Sequence, residues 1–247
     1  MLKFIDASCR LGRPGAPGNM PWEKEQIVEL LDRCHIEKAL AYHIVAKDGE
    51  VTDGNNLLME EIKGDSRFEP QWCALPHTFD EFMTPDELHK AMKTNGVRTL
   101  RIAPKTYAHD ARPHAMGALM GLAADCKIPV FLDYGEAVGD DLYDLCSMYP
   151  DVKFVITNTS YALNRFLGPI LDNCSNLILA TGNYVVHTGL ELMCKYYGAE
   201  KMVFNTNLPT GSAVAAVSLV CFSDISDEEK ALIAHGNLEK MLSEVKL

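Results

Sequence analysis

A rhythm constrains this chain more than any single motif. A short apolar run is followed by a loop and a helix-patterned stretch, and the unit recurs about eight times in 247 residues. The runs are Lys3–Ala7, Lys38–Ile44, Phe68–Leu75, Val97–Ile102, Pro129–Asp133, Lys153–Asn158, Asn176–Ala180 and Lys201–Asn205. Most are apolar at successive positions, as parallel strands covered on both faces must be. The first continues as Ser8-Cys9-Arg10 into a loop rich in glycine and proline, Gly12 to Gly18.

Helical patterns fill the intervals. Trp22–His35 sets Ile27, Leu30, Leu31 and Cys34 on one face. Asn55–Lys63 forms a short second helix. Thr84-Pro85-Asp86-Glu87 is a capping box with proline in the first turn, and Gly96 closes that helix. Pro113–Cys126, Asp140–Tyr149, Asn164–Asn173, Thr188–Tyr197 and Gly211–Phe222 follow the later strands. Ser226-Asp227-Glu228-Glu229 caps a further helix, and Asn237–Val245 ends the chain. The fold expected is α/β, a single (β/α)₈ barrel over residues 1–247 with an extra C-terminal helix. A doubly wound open sheet has the same rhythm. No G-x-G-x-x-G follows the first strand, which disfavours its dinucleotide-binding form.

Charge and cysteine usage narrow the function classes. A net charge of -11 argues against nucleic acid, whose phosphates require clustered Lys and Arg. A small anion needs only one local positive pocket and stays open. No apolar run reaches the roughly 18 residues of a membrane span, and no basic segment followed by an apolar core opens the chain. The eight cysteines include no C-x-x-C pair. This pattern fits reduced, buried thiols in a cytoplasmic protein better than a zinc cluster.

Several segments, in order and over the full length, resemble the amidohydrolase-related family of metal-dependent hydrolases and decarboxylases. They are Phe4-Ile5-Asp6-Ala7, Gly96-Val97-Arg98, Ile128-Pro129-Val130-Phe131, Lys201-Met202-Val203-Phe204 and the tail from Ser226 through Lys230, Ile233, Gly236 and Asn237. The resemblance implies a (β/α)₈ barrel, and weakly a homodimer. It also implies where a divalent metal would be held: His-x-His ending strand one, histidines on strands five and six, and an aspartate on strand eight. Here those positions are Ser8 and Arg10, Asp133, Asn158 and Asn207. Zinc and its relatives take imidazole, thiolate or carboxylate donors, so this set predicts no metal, and no other cofactor is indicated. Arg10 adds a fixed cation where a cation would bind.

Arg10 and Asp133 both fall at the barrel mouth. Either the guanidinium anchors a carboxylate or a developing oxyanion, or it pairs with Asp133 and plugs a vacated cavity. Strict alternation places Asp6 on the same inward face as Ser8 and Arg10. Arg101 and Lys105 flank the end of strand four as candidate anion grips, with surface charge as the plain alternative. Arg13 is a candidate second cation. His77 is a candidate general acid or base, and with His43 it could hold a displaced metal. Tyr134, Glu136, Tyr161 and Tyr184 follow strands five, six and seven as candidate mouth residues. Pro209-Thr210-Gly211-Ser212 is either a phosphate-binding corner or a helix cap.

Two functions follow. One is a metal-independent hydrolase-type enzyme for a small carboxylated or hydroxylated compound, lactone hydrolysis above all. Its catalytic residues would be Arg10, Asp133 and His77, with Ser8, Arg101, Lys105, Tyr134, Asn158 and Asn207 contacting substrate. The other is a catalytically inactive barrel that binds a small anionic ligand or a protein partner. In neither is nucleic acid or a membrane a partner.

Overall fold

The computed structural model describes residues 2–13 and 23–247. Its eight strands form one parallel sheet in the order β1 to β8, each paired with its sequence neighbours. In chain order, β1 (Phe4–Leu11) leads to α1 (Lys24–Arg33), and β2 (Ile36–His43) to α2 (Ile44–Asp48) and α3 (Val51–Glu61). Next come β3 (Phe68–Cys73), α4 (Pro85–Asn95), β4 (Thr99–Arg101), α5 (Pro113–Asp125), β5 (Val130–Asp133) and α6 (Asp140–Met148). The last units are β6 (Phe154–Thr157), α7 (Asn164–Asn173), β7 (Leu177–Ala180), α8 (Gly189–Tyr197), β8 (Met202–Val203) and α9 (Ala213–Cys221). Two further helices, α10 (Asp227–Ala231) and α11 (Asn237–Ser243), end the chain, joined by a π-helical turn over Leu232–Gly236. Backbone hydrogen bonds from Ala7 to Phe204 and from Arg10 to Leu208, each 2.9 Å, close β1 onto the β8 side. The result is a (β/α)₈ barrel with an added C-terminal helix.

Two apolar layers hold it together. Outward strand residues such as Cys9, Trp72, Leu100 and Ile156 pack with the helices. Ile5, Ala7, Leu40, Phe131, Val155 and Val203 form a second cluster with Leu238, Met241 and Leu242 of α11, which places α11 against the barrel interior. Asn237 ties α11 down by donating to the carbonyls of Ala199 and Met202, both at 2.8 Å. Polar residues fill the opposite end, as a (β/α)₈ barrel with its site at the C-terminal face of the sheet requires.

Sequence and structure differ at three places that bear on the site. The second strand ends at His43, and the next residues turn into α2, so α3 begins at Val51 rather than Asn55. A close approach fixes this corner: a Cβ on Gly54 would come 1.9 Å from the backbone nitrogen of Ala46. Asn158 lies just beyond β6, in the left-handed conformation with φ 53°. In β1 the register shifts between Asp6 and Cys9. Strict alternation therefore fails there: Ile5 and Ala7 belong to the inner apolar cluster, and so do not alternate with Ser8 as a regular strand would require. Asp6 instead binds between β1 and the segment after β8, accepting from the backbone of Ser8 (3.0 Å) and of Thr206 (2.9 Å) and from the Thr206 hydroxyl.

The loop expected at Gly12–Gly18 and the start of the helix expected at Trp22 fall mostly outside the described residues. No helix among the described residues is long and apolar enough to cross a membrane. Because Leu238 is 1% exposed inside the inner cluster, Leu238→Ala should lower unfolding stability by about 2–5 kcal/mol, read from urea unfolding.

Candidate functional site

Arg101 is an almost fully buried charge at the mouth, 1% exposed at the end of β4. Its guanidinium reaches four other strands. Nε donates to Gln71 Oε1 on β3 at 2.8 Å, and Nη2 to Ser8 Oγ on β1 at 2.8 Å. Nη1 donates to Asp133 Oδ1 on β5 at 3.0 Å and to Thr157 Oγ1 on β6 at 3.3 Å. The guanidinium carbon lies 4.2 Å from the centre of the Tyr42 ring on β2, a cation–π contact. Burial works against the charge of Arg101, but Tyr42 and Asp133 outweigh it and raise its pKa.

Asp133 is held from both sides. Its Oδ1 also accepts from the Thr157 hydroxyl at 2.7 Å, and its Oδ2 accepts from the Lys47 ammonium. Burial alone would push its carboxyl up. Arg101 and Lys47, with the hydrogen bonds from Lys47 and Thr157, instead hold it well below the ordinary carboxylate range. Lys47 is partly buried; burial lowers its pKa, and Tyr42 and Asp133 more than restore it. Arg101 and Lys47 therefore occupy the Asp133 oxygens, one of the two roles the sequence left open for Arg10.

Above this cluster opens a cavity of about 300 Å³. It is lined by Ser8, Arg10, Tyr42, Lys47, Asp133, Asn158, Asn183, Asn207, Leu208 and Thr210. All three asparagines have positive φ, between 53° and 64°. Asparagine tolerates this conformation better than most residues, so the backbone explains part of their presence. The structure thus brings Ser8, Arg10, Asp133, Asn158 and Asn207 to one cavity, with Arg101 beneath it.

Other candidates sit elsewhere. His77 is exposed, with Nδ1 2.6 Å from the Phe82 carbonyl oxygen, and is not among the lining residues. Lys105 lines a separate cavity of about 370 Å³ beside Arg112 and Glu136. Tyr134 packs partly buried against the core. His43 caps α2, with Nδ1 accepting from the Val45 backbone at 3.2 Å, and its Nε2 lies 3.5 Å from Glu61. It is not gathered with His77; among the described residues no group of three or more His, Cys, Asp or Glu side chains is placed to hold a metal. Glu136 accepts from the backbone and hydroxyl of Thr106, Tyr184 donates to Asn164, Tyr161 is exposed, and Ser212 caps α9. Arg13 is also exposed.

Lys47, Tyr42 and Asn183 went unnoticed in the sequence, and Thr210 stood out there only as part of a phosphate-binding corner or a helix cap. For Lys47 a signal existed: a lone cation four residues past the C-terminal end of a barrel strand, where active-site loops begin.

No protein-family model matches the chain, and no curated protein sequence matches it. Solved structures do match across its length. An uncharacterised TIM-barrel protein from Bordetella bronchiseptica is 17% identical with a TM-score of 0.74, over 98% of this chain and 99% of that one. A 5-carboxyvanillate decarboxylase from Novosphingobium aromaticivorans, bound to manganese and 3-methoxy-4-hydroxy-5-nitrobenzoic acid, is 12% identical with a TM-score of 0.77, over 98% and 97%. A dihydroxybenzoic acid decarboxylase from Polaromonas, bound to manganese and the inhibitor 2-nitroresorcinol, is 13% identical with a TM-score of 0.70, over 98% and 96%. The fold is therefore the TIM barrel that these proteins share. The mouth of this chain does not fit the divalent ion those two decarboxylases hold. Its one lining carboxylate has both oxygens taken, two of its three partners are cations, and the remaining donors are neutral amides and hydroxyls.

Two buried carboxyls should give stability two opposite pH slopes. Burial pushes Asp6 up from 3.8 to about 6, against hydrogen bonds from Thr206 and Ser8. The folded state then keeps a proton that the unfolded chain releases, so stability falls as pH rises from about 4 to about 6, by roughly 3 kcal/mol. Asp133 is depressed, so its contribution is present above about pH 4 and is lost as pH falls below it. In melting curves across pH, Asp6→Asn should flatten the first slope and Asp133→Asn the second.

Proposed function

We propose that the chain binds a small carboxylated, hydroxylated compound at the barrel mouth and handles it without a metal ion. One observation carries this reading: the Arg101–Asp133–Lys47 cluster, which puts fixed side-chain cations beneath and beside the cavity in a protein of net charge -11. Lys47 has three N–H donors and gives one to Asp133. The others can serve a ligand carboxylate, with Arg10 in the same lining. The two decarboxylases with this barrel act on hydroxylated aromatic carboxylates by name, which supports a ligand of that chemistry.

Among reactions, hydrolytic opening of a lactone suits such a mouth. Cations already in place stabilise the oxyanion that forms on an acyl carbonyl, and the product is the hydroxy acid the cavity holds. Proton transfer is the weak part. Asp133 is kept ionised by its two cations, which makes it a poor base, and His77 is outside the lining. The same fact favours a second reading, a noncatalytic barrel that binds this anion. The Asp133 pKa lies below its ordinary value while those of Lys47 and Tyr42 lie above theirs, so none of the three exchanges protons near neutrality.

Calorimetric titration with salicylate, followed by a screen of dihydrocoumarin and γ-butyrolactone, tests both readings. Salicylate should bind in the presence of a chelator, and Lys47→Met and Arg10→Met should each weaken it by about tenfold or more. Binding that requires added manganese, or that neither substitution alters, sinks the proposal. Lactone turnover lost in Lys47→Met identifies the enzyme; salicylate binding without turnover of any lactone leaves the anion binder.

A further inference from the structure

We propose that Asn205 holds the Asn207 amide as a hydrogen-bond donor for the cavity, so that the ligand carries an acceptor beside its carboxylate. The inference rests on the carboxylate-binding reading above and specifies the ligand further.

Asn205 is fully buried in the segment after β8. Its Oδ1 accepts the backbone N–H of Gly182. A backbone N–H can only donate, so the orientation of the Asn205 amide is settled by chemistry rather than by choice of flip. Its Nδ2 must then point the other way, and it donates to Asn207 Oδ1 at 2.6 Å. That occupies the Asn207 oxygen and leaves Asn207 to present its NH₂ group. The packing is tight enough to hold the arrangement: a Cβ on Gly182 would stand 2.6 Å from Asn205 Oδ1, so only glycine admits it.

The donor so presented is unmet. Asn207 is 9% exposed, and its Nδ2 is buried with no acceptor among the described residues. An unsatisfied buried donor costs about 1–3 kcal/mol, and buried polar atoms are rarely left that way without reason. Asn207 also lines the cavity that holds Lys47 and Arg10. An acceptor on the ligand would satisfy it. A ligand with a donor at that place would set N–H against N–H, and a site built for one partner rejects the other strongly. The acceptor is a ring nitrogen, carbonyl or hydroxyl oxygen next to the carboxylate. Asn205 acts as a positioning residue, because it works only through Asn207.

Three small monoanions separate the possibilities: benzoate, with no neighbouring polar atom; picolinate, with a ring-nitrogen acceptor; and pyrrole-2-carboxylate, with an N–H donor. Their affinities are measured calorimetrically for the wild-type chain, Asn205→Ala and Asn207→Gly. Glycine at 207 removes the donor while keeping the positive φ, here 56°, accessible. The wild-type chain should favour picolinate over pyrrole-2-carboxylate by about tenfold or more. That ratio should fall to near one in Asn207→Gly and shrink in Asn205→Ala. A purely structural role would move all three affinities together and leave the ratio intact, which overturns the proposal. So does a wild-type ratio near one while benzoate still binds, the result expected if water alone meets the Asn207 donor. Failure of all three anions to bind instead brings down the carboxylate-binding reading, and this inference with it. Should Asn205→Ala fail to fold by circular dichroism, the Asn207→Gly ratio decides.

Discussion

A guanidinium inside a barrel must be surrounded before the barrel can close. Arg101 is almost wholly removed from water, and the cost of that is several kcal/mol unless the protein supplies partners. It supplies them from four other strands in hydrogen bonds, and a fifth through the Tyr42 ring. The residues concerned are polar because Arg101 is there: Gln71 and Ser8 would otherwise be poor choices for a barrel interior. A buried pair of this kind adds little net stability over apolar packing. Its effect here is positional. Satisfying one side chain sets β1, β3, β5 and β6 at fixed heights relative to β4, and the cavity above is the space left over.

The barrel was legible because each strand announces itself by local composition, and parallel strands with helices between them have few ways to pack. Strand ends put Arg10 and Asp133 at the mouth, and the family resemblance grouped Ser8, Asn158 and Asn207 with them. What was not legible is whatever depends on distance across the barrel. Arg101 and Asp133 are 32 residues apart, and Lys47 and Asp133 are 86 apart. No spacing rule says which cation reaches that carboxylate. Asp6 shows a second kind of failure. Alternation is exact only in a regular strand, and the register shift in β1 changes which face each residue takes. His77 shows a third. Being near the end of a strand does not turn a side chain inward; its loop binds it to the Phe82 carbonyl instead.

The proposed chemistry of the mouth follows from the kind of positive charge that lines it. A metal ion is a dense charge whose bound water loses protons easily. A guanidinium and an ammonium offer directed N–H donors and no such water. They recognise planar oxyanions well and activate nucleophiles poorly. Both proposed functions assume that a mouth so lined holds an anion well and moves a proton poorly.

The ion cluster also constrains how this barrel can be altered. Histidine at position 8 alone would meet the Arg101 guanidinium that now bonds Ser8. Removing Arg101 alone would leave Gln71 Oε1 without its donor and Asp133 with one cation in place of two. Neutralising Asp133 alone would leave Arg101 and Lys47 facing each other across one lost carboxylate. Each single step is worse than its starting point, so a designer who wants a metal centre in this fold must exchange the whole cluster at once.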